Sequence, residues 1–126
     1  MLSEWWEDHI IPGSGQAAIL PEILPAAGDR VMAKDRYSAF YHTDLEDYLR
    51  RSGTRDIIIS GVMTNLCCET TARDAFVRDF RVFFLSDGTA TAGDDYHIAA
   101  LKNLAYGFAY LLTCDEMIGH LASHEK

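Results

Sequence analysis

Asp56-Ile57-Ile58-Ile59-Ser60-Gly61-Val62-Met63-Thr64-Asn65-Leu66-Cys67-Cys68-Glu69-Thr70-Thr71-Ala72-Arg73-Asp74-Ala75-Phe76 changes its period partway along. Ile57, Ile58 and Ile59 form a short β-branched run of the kind that reads as a strand buried on both faces. Ser60 and Gly61 punctuate it. Beyond them Leu66, Thr70, Ala72, Ala75 and Phe76 fall at spacings that suit one side of a helix. Thr64 or Asn65 is the expected N-cap of that helix. Cys67 is therefore expected in the first turn of a helix launched from the C-terminal end of a strand, where open α/β sheets bind ligands.

That position favours a reactive thiol. Free backbone N–H groups and the positive end of the helix dipole stabilise a thiolate. The same N–H groups can hold an oxyanion once the sulfur attacks a carbonyl. The alternative is a buried, inert cysteine, the commoner fate of a free thiol. Cys68 complicates the choice, but a helix turns roughly 100° per residue, so the two thiols face different surroundings. One of them belongs to the core.

Upstream, Asp29-Arg30-Val31-Met32-Ala33-Lys34 reads as a strand entering a site, followed by the aromatic stretch from Asp35 to His42. Thr43 and Glu46 are spaced as a capping box for a helix running through Leu49, with Gly53 as its C-terminal cap. Further upstream, Pro12-Gly13-Ser14-Gly15 is a loop, and residues 19–24 are irregular or a short helical turn. Downstream, Arg81 to Leu85 is an apolar strand that Ser86-Asp87-Gly88 ends in a turn. Asp95 to Phe108 carries Ile98, Leu101, Ala105 and Phe108 at helical spacing, with His97 on its surface. Ala109 to Thr113 reads as a last strand and Glu116 to Ser123 as a closing helix. Strands alternating with helices at these lengths imply a parallel, doubly wound sheet.

The whole chain sets bounds on function. Its 126 residues suit one domain, 1–126, with a single core. The formal net charge of −8 argues against a nucleic-acid partner. No stretch approaches the roughly 18 apolar residues of a membrane span. Met1 to Glu4 has neither the basic start nor the apolar core of a secretion signal. Three cysteines, two of them adjacent, make a poor disulfide framework, so the cytoplasm is the expected compartment. Trp5 and Trp6 need a surface to cover, by ordinary packing or as a pocket lid or oligomer contact. His9 beside Asp8 and Glu7 lacks a second ligand at regular spacing, so no metal is expected.

Gly61 to Ala75 resembles the nucleophile motif of the isochorismatase-like cysteine hydrolases, a superfamily that includes nicotinamidases, N-carbamoylsarcosine amidases and ureidoacrylate hydrolases. Val31 to Phe40 resembles the segment that supplies the family's catalytic lysine, and Val82 to Thr91 the strand and loop after the nucleophile helix. The likeness runs from about Pro21 to Tyr110, with three motifs in order. It implies an α/β fold: a three-layer, Rossmann-like parallel sheet with helices on both faces. It also implies catalysis by Cys67 and Lys34 and a cis peptide bond between Val62 and Met63. The amides of Met63 and Cys67 would form an oxyanion hole, and Tyr37 and Phe40 would border the substrate pocket. An ammonium near Cys67 favours the thiolate, whereas a lysine outside such a motif is usually solvated.

Family members begin with a strand ending in the general-base aspartate. In the family's order 3-2-1-4-5-6, that strand and the next would precede Trp5, so the expectation is an N-terminally truncated domain lacking the first two strands. Asp8, Asp29 and Asp35 qualify as the base by residue type alone. The expected activity is hydrolysis of an amide or carbamoyl C–N bond of a small molecule through a thioester, without a cofactor, in a homo-oligomer. The alternative is a catalytically silent subunit or oligomerisation module.

Overall fold

A computed structural model describes residues 13–124. Trp5, Trp6, Asp8 and His9 lie outside the described residues. The described residues fall into two compact units that meet between Met32 and Ala33 in the chain. In the first, short 3₁₀ turns span Gly15–Ala17 and Pro21–Ile23. Asp29 closes a further turn there by accepting a hydrogen bond from Ala26 N at 2.9 Å.

The second unit is built on three parallel strands: β1 (Asp56–Val62), β2 (Arg81–Ala90) and β3 (Tyr110–Leu112), in that spatial order. Four helices accompany them: α1 (Leu45–Arg51), α2 (Glu69–Phe76), α3 (Asp94–Gly107) and α4 (Cys114–His124). The α/β alternation is the one expected. Ile57 pairs with Val82 and Ile59 with Phe84, while Leu111 stands beside Phe84 on β3. With a side-chain period of two, all five share one face of the sheet. Ala72 and Ala75 of α2 and Leu104 of α3 pack there with Phe40 and Phe80, making the core. Phe84 is 0% exposed; burying such a side chain contributes about 1.5–3 kcal/mol. α4 packs against β2, with Met117 buried apart from that core.

Several local expectations are corrected. β1 is not covered on both faces: it is an edge strand, and Ile58 is 43% exposed. The central place belongs to β2. Residues 29–34 form no strand. A strand exists through its ladder, and among the described residues none pairs with this segment. β2 does not stop at Leu85 but runs to Ala90. Between the pairs Ile59–Phe84 and Gly61–Thr89, β1 advances two residues and β2 five, so residues 85–88 form a bulge inside the strand.

The capping box at Thr43 and Glu46 does not form. Thr43 Oγ1 accepts from Leu45 N at 3.3 Å and donates to Ala39 O, while Glu46 is held by Arg50 and Arg78. The other end of α1 closes as expected. Gly53, at φ +70°, donates to Arg50 O, and Thr54 N to Leu49 O, a Schellman pair. In α3 the buried residues are Ala100 and Leu104, with Leu101 packed beside them, whereas Ile98 and Ala105 face outward. His97 lies on that inner stripe by its spacing to Ala100, Leu101 and Leu104.

Candidate active site

β1 ends at the site. After Val62 the peptide bond to Met63 is cis, and Thr64–Cys68 make one wide, π-type helical turn before α2 begins at Glu69. The Met63 carbonyl accepts from Leu66 N at 3.1 Å and from Cys68 N at 3.2 Å. Neither Thr64 nor Asn65 caps the helix, because their side chains are bonded elsewhere. Thr64 Oγ1 meets His97 Nδ1 at 2.9 Å, and Asn65 Oδ1 accepts from Thr91 Oγ1 at 2.6 Å. The inward stripe of the turn and helix is Thr64, Cys68, Ala72 and Ala75, all buried. Small residues there let α2 sit close to the sheet. Phe76 instead reaches the margin, edge-on to Phe108 at 5.3 Å.

The two thiols part company as helical geometry requires. Cys68 is 5% exposed, with Ser60 O the nearest acceptor of its thiol at 3.9 Å. Burial pushes the Cys68 thiol up to about 11, with the neighbouring Cys67 acting the same way and Lys34 opposing. It is a protonated core residue at neutral pH. Cys67 is partly exposed, and its sulfur accepts a hydrogen bond from Lys34 Nζ at 3.3 Å. The same ammonium donates to Arg36 O at 2.8 Å.

The Lys34 segment is laced along one stripe of the Cys67 turn and α2. Cys67, Thr71, Asp74 and Arg78 follow at helical spacings of four, three and four. Thr71 Oγ1 accepts from Ala39 N at 3.0 Å, and the Asp74 carboxylate accepts from the Ser38 hydroxyl. Arg78 then ties Asp74 to Glu46 of α1, and its guanidinium lies 5.0 Å from the Phe40 ring centre. A loop without regular structure is thus fixed at several points below Lys34. Tyr37 is partly exposed on this loop. Phe40, 7% exposed, packs in the core and stacks on Phe80 at 5.9 Å. Asp35 is ion-paired with Arg36 at 3.2 Å.

His97 is the residue that sequence reading misplaces. It bridges Thr64 on the turn that carries Cys67 and Ser86 O in the β2 bulge, the latter at 3.1 Å from Nε2. The signal was its spacing to Ala100, Leu101 and Leu104, which puts it on the inner stripe of α3. Among the described residues no group of three or more His, Cys, Asp or Glu is placed to hold a metal, and no helix is long and apolar enough to cross a membrane.

The family model described as the isochorismatase domain matches residues 2–116. Nicotinamidase 3 of Arabidopsis thaliana is 48% identical over 120 residues, 93% of this chain and 61% of its own length. Ureidoacrylate amidohydrolase RutB of Methylobacterium radiotolerans is 40% identical over 100 residues, 79% of this chain and 39% of its own. Among solved structures, an isochorismatase-like hydrolase from Alkaliphilus metalliredigens superposes with a TM-score of 0.90 at 33% identity, covering 94% of this chain and 65% of that one. The chain therefore spans under two thirds of the length of these relatives. A nearly chain-long family match, on a parallel sheet that delivers a cysteine to a lysine at a strand end, places this chain in the isochorismatase family of hydrolases.

Proposed function

We propose that the chain carries the nucleophile half of a cysteine hydrolase acting on an amide or carbamoyl C–N bond of a small molecule. The observation that supports this most is the hydrogen bond from Lys34 Nζ to Cys67 Sγ at the C-terminal end of β1. The Cys67 thiolate adds to the substrate carbonyl, forming a C–S bond, while the carbonyl oxygen takes the negative charge. The Met63 and Cys67 amides receive that oxyanion. Collapse breaks the C–N bond, and the nitrogen leaves as the amine with the proton that the general base took from the Cys67 thiol. Water then attacks the thioester, releasing the acid and restoring Cys67. Lys34 supports the thiolate throughout. The general base is a carboxylate: Asp35 is engaged by Arg36 and Asp29 by its own turn, so neither is assigned. No cofactor, nucleic acid or membrane enters the reading. The three free thiols suit a reducing compartment such as the cytoplasm.

A nicotinamidase and a ureidoacrylate amidohydrolase among the relatives favour an amide-type substrate. The test is release of ammonia from a panel of small amides that includes nicotinamide, with intact-mass detection of an acyl adduct on Cys67. Turnover that disappears in Cys67→Ser supports the reading. Turnover that survives this substitution overturns it.

A second reading, a silent subunit that assembles with other copies, draws on β1. It is an edge strand, with Val62 69% exposed, and an open apolar edge invites pairing. A homo-oligomer with no acyl adduct under any substrate would decide for it.

A further inference from the structure

The nucleophile turn is held by a histidine that the proposed mechanism does not use. Thr64 is fully buried, and its hydroxyl lies 2.9 Å from His97 Nδ1. On the other side of the ring, Nε2 lies 3.1 Å from Ser86 O. A carbonyl oxygen accepts only, so Nε2 carries a proton. In the neutral ring Nδ1 then accepts from the Thr64 hydroxyl. The tautomer is thereby fixed by the β2 bulge, whose residues 85–88 stand outside the ladder with β1. A second bond, Thr91 Oγ1 to Asn65 Oδ1 at 2.6 Å, joins the next residue of the turn to the chain just beyond β2.

We propose that His97 is a positioning residue for Cys67. It anchors Thr64, and so the start of the turn that carries the sulfur, to α3 and to the β2 bulge at once. Lys34 reaches Cys67 from a loop, and His97 fixes the turn that Lys34 must meet. A short turn held at Thr64 and Asn65 has little freedom to rotate the Cys67 sulfur away from the ammonium. Imidazole suits this place because its two nitrogens are rigidly spaced, one donating to a carbonyl and the other accepting from a hydroxyl. The inference rests on the reading of Cys67 as the nucleophile.

The test is the second-order rate of iodoacetamide alkylation at Cys67, located by mass spectrometry, with Cys114 in the same molecule as reference thiol. The proteins are wild type, His97→Ala, His97→Asn, Thr64→Val, Thr64→Ser and the double variant His97→Ala/Thr64→Val. Asn at 97 can still reach Thr64, and Ser at 64 keeps the hydroxyl. Positioning predicts that His97→Ala and Thr64→Val each slow Cys67 about tenfold relative to Cys114. His97→Asn and Thr64→Ser should recover most of the rate. The double variant should be no slower than His97→Ala, since that change already removes the bond to Thr64. A residue that only supports the fold would lower the melting temperature and leave the rate ratio unchanged. A fast wild-type Cys67 with unchanged variants overturns the role of His97 alone. A wild-type Cys67 no faster than Cys114 overturns that role and the nucleophile reading together. Thr64→Val preserves side-chain shape, so it carries the test if His97→Ala does not fold.

Discussion

Lys34 Nζ and Cys67 Sγ stand 3.3 Å apart although 33 residues separate them in the chain. The ammonium also donates to Arg36 O, which fixes where the charge sits. Two unit charges at about 4 Å attract by about 1 kcal/mol in water-like surroundings and more where solvent is thinned. Lys34 is exposed, so the lower figure applies. Lys34→Met, which keeps the length and loses the charge, is expected to slow Cys67 alkylation at neutral pH roughly fivefold, the factor that about 1 kcal/mol represents. High salt should reduce the difference. An unchanged rate would mean that the contact does not activate the thiol.

Cys68 makes the opposite prediction. Its thiol is pushed from 9.0 to about 11 by burial, so the folded state holds a proton that the unfolded state releases first. Below the unfolded value both states are protonated and Cys68 has no effect. As pH rises from about 9 to about 11 the unfolded chain loses protons alone, and stability falls. Denaturant midpoints for wild type should decline through that window, and Cys68→Ala should flatten the decline. Cys68 should also resist alkylation at pH 8 in the folded protein. Rapid labelling of Cys68 under those conditions would place it outside the core.

What was legible in the sequence is what short-range physics controls. The switch from Ile57-Ile58-Ile59 to a helical period foretells β1 and α2, and Gly53 foretells the end of α1. Phe40 illustrates the opposite case. Its segment is rich in aromatic residues, a pattern that suits a pocket wall and a core equally. The packing of Phe40 on Phe80, with Arg78 over its ring, is a long-range contact that the composition of the segment does not announce. The β2 bulge is hidden for the same reason. Ser86-Asp87-Gly88 is turn-like locally, but Ser86 O bonds His97 and the Asp87 carboxylate accepts from Cys114 N at 2.7 Å. Those partners lie 11 and 27 residues on. Thr64 and Asn65 have good capping side chains that tertiary partners claim instead.

Arg78 joins the loop below Lys34 to two helices, so its loss should reach both stability and the site. Its Nε donates to Glu46 at 2.9 Å and its Nη1 to Asp74, whose carboxylate also receives the Ser38 hydroxyl. Hydrogen bonds to charged groups contribute about 1.5–3 kcal/mol. Arg78→Ala is expected to destabilise by about 2 kcal/mol, measured by urea unfolding. Arg78→Lys should recover less than half, because an ammonium cannot span both carboxylates as a planar fork does. Full recovery with lysine would reduce the contact to simple charge pairing.

Gly88 sits in the β2 bulge with no room for a side chain. A Cβ there would lie 2.8 Å from Leu85 Cβ and 3.0 Å from Cys114 Sγ. The first is too close for carbon atoms, and Leu85 Cβ is attached directly to the backbone, so strand or bulge must move. Overpacking of this kind costs about 1–3 kcal/mol. Gly88→Ala is therefore expected to lower the urea midpoint by that equivalent, and Cys114→Ala, by clearing the second contact, should relieve only part of it. The displaced bulge carries Ser86 O, so the substitution should also slow Cys67 alkylation through His97. A destabilised Gly88→Ala with an unaltered Cys67 rate would mean that the bulge supports the strand without reaching the turn that carries Cys67.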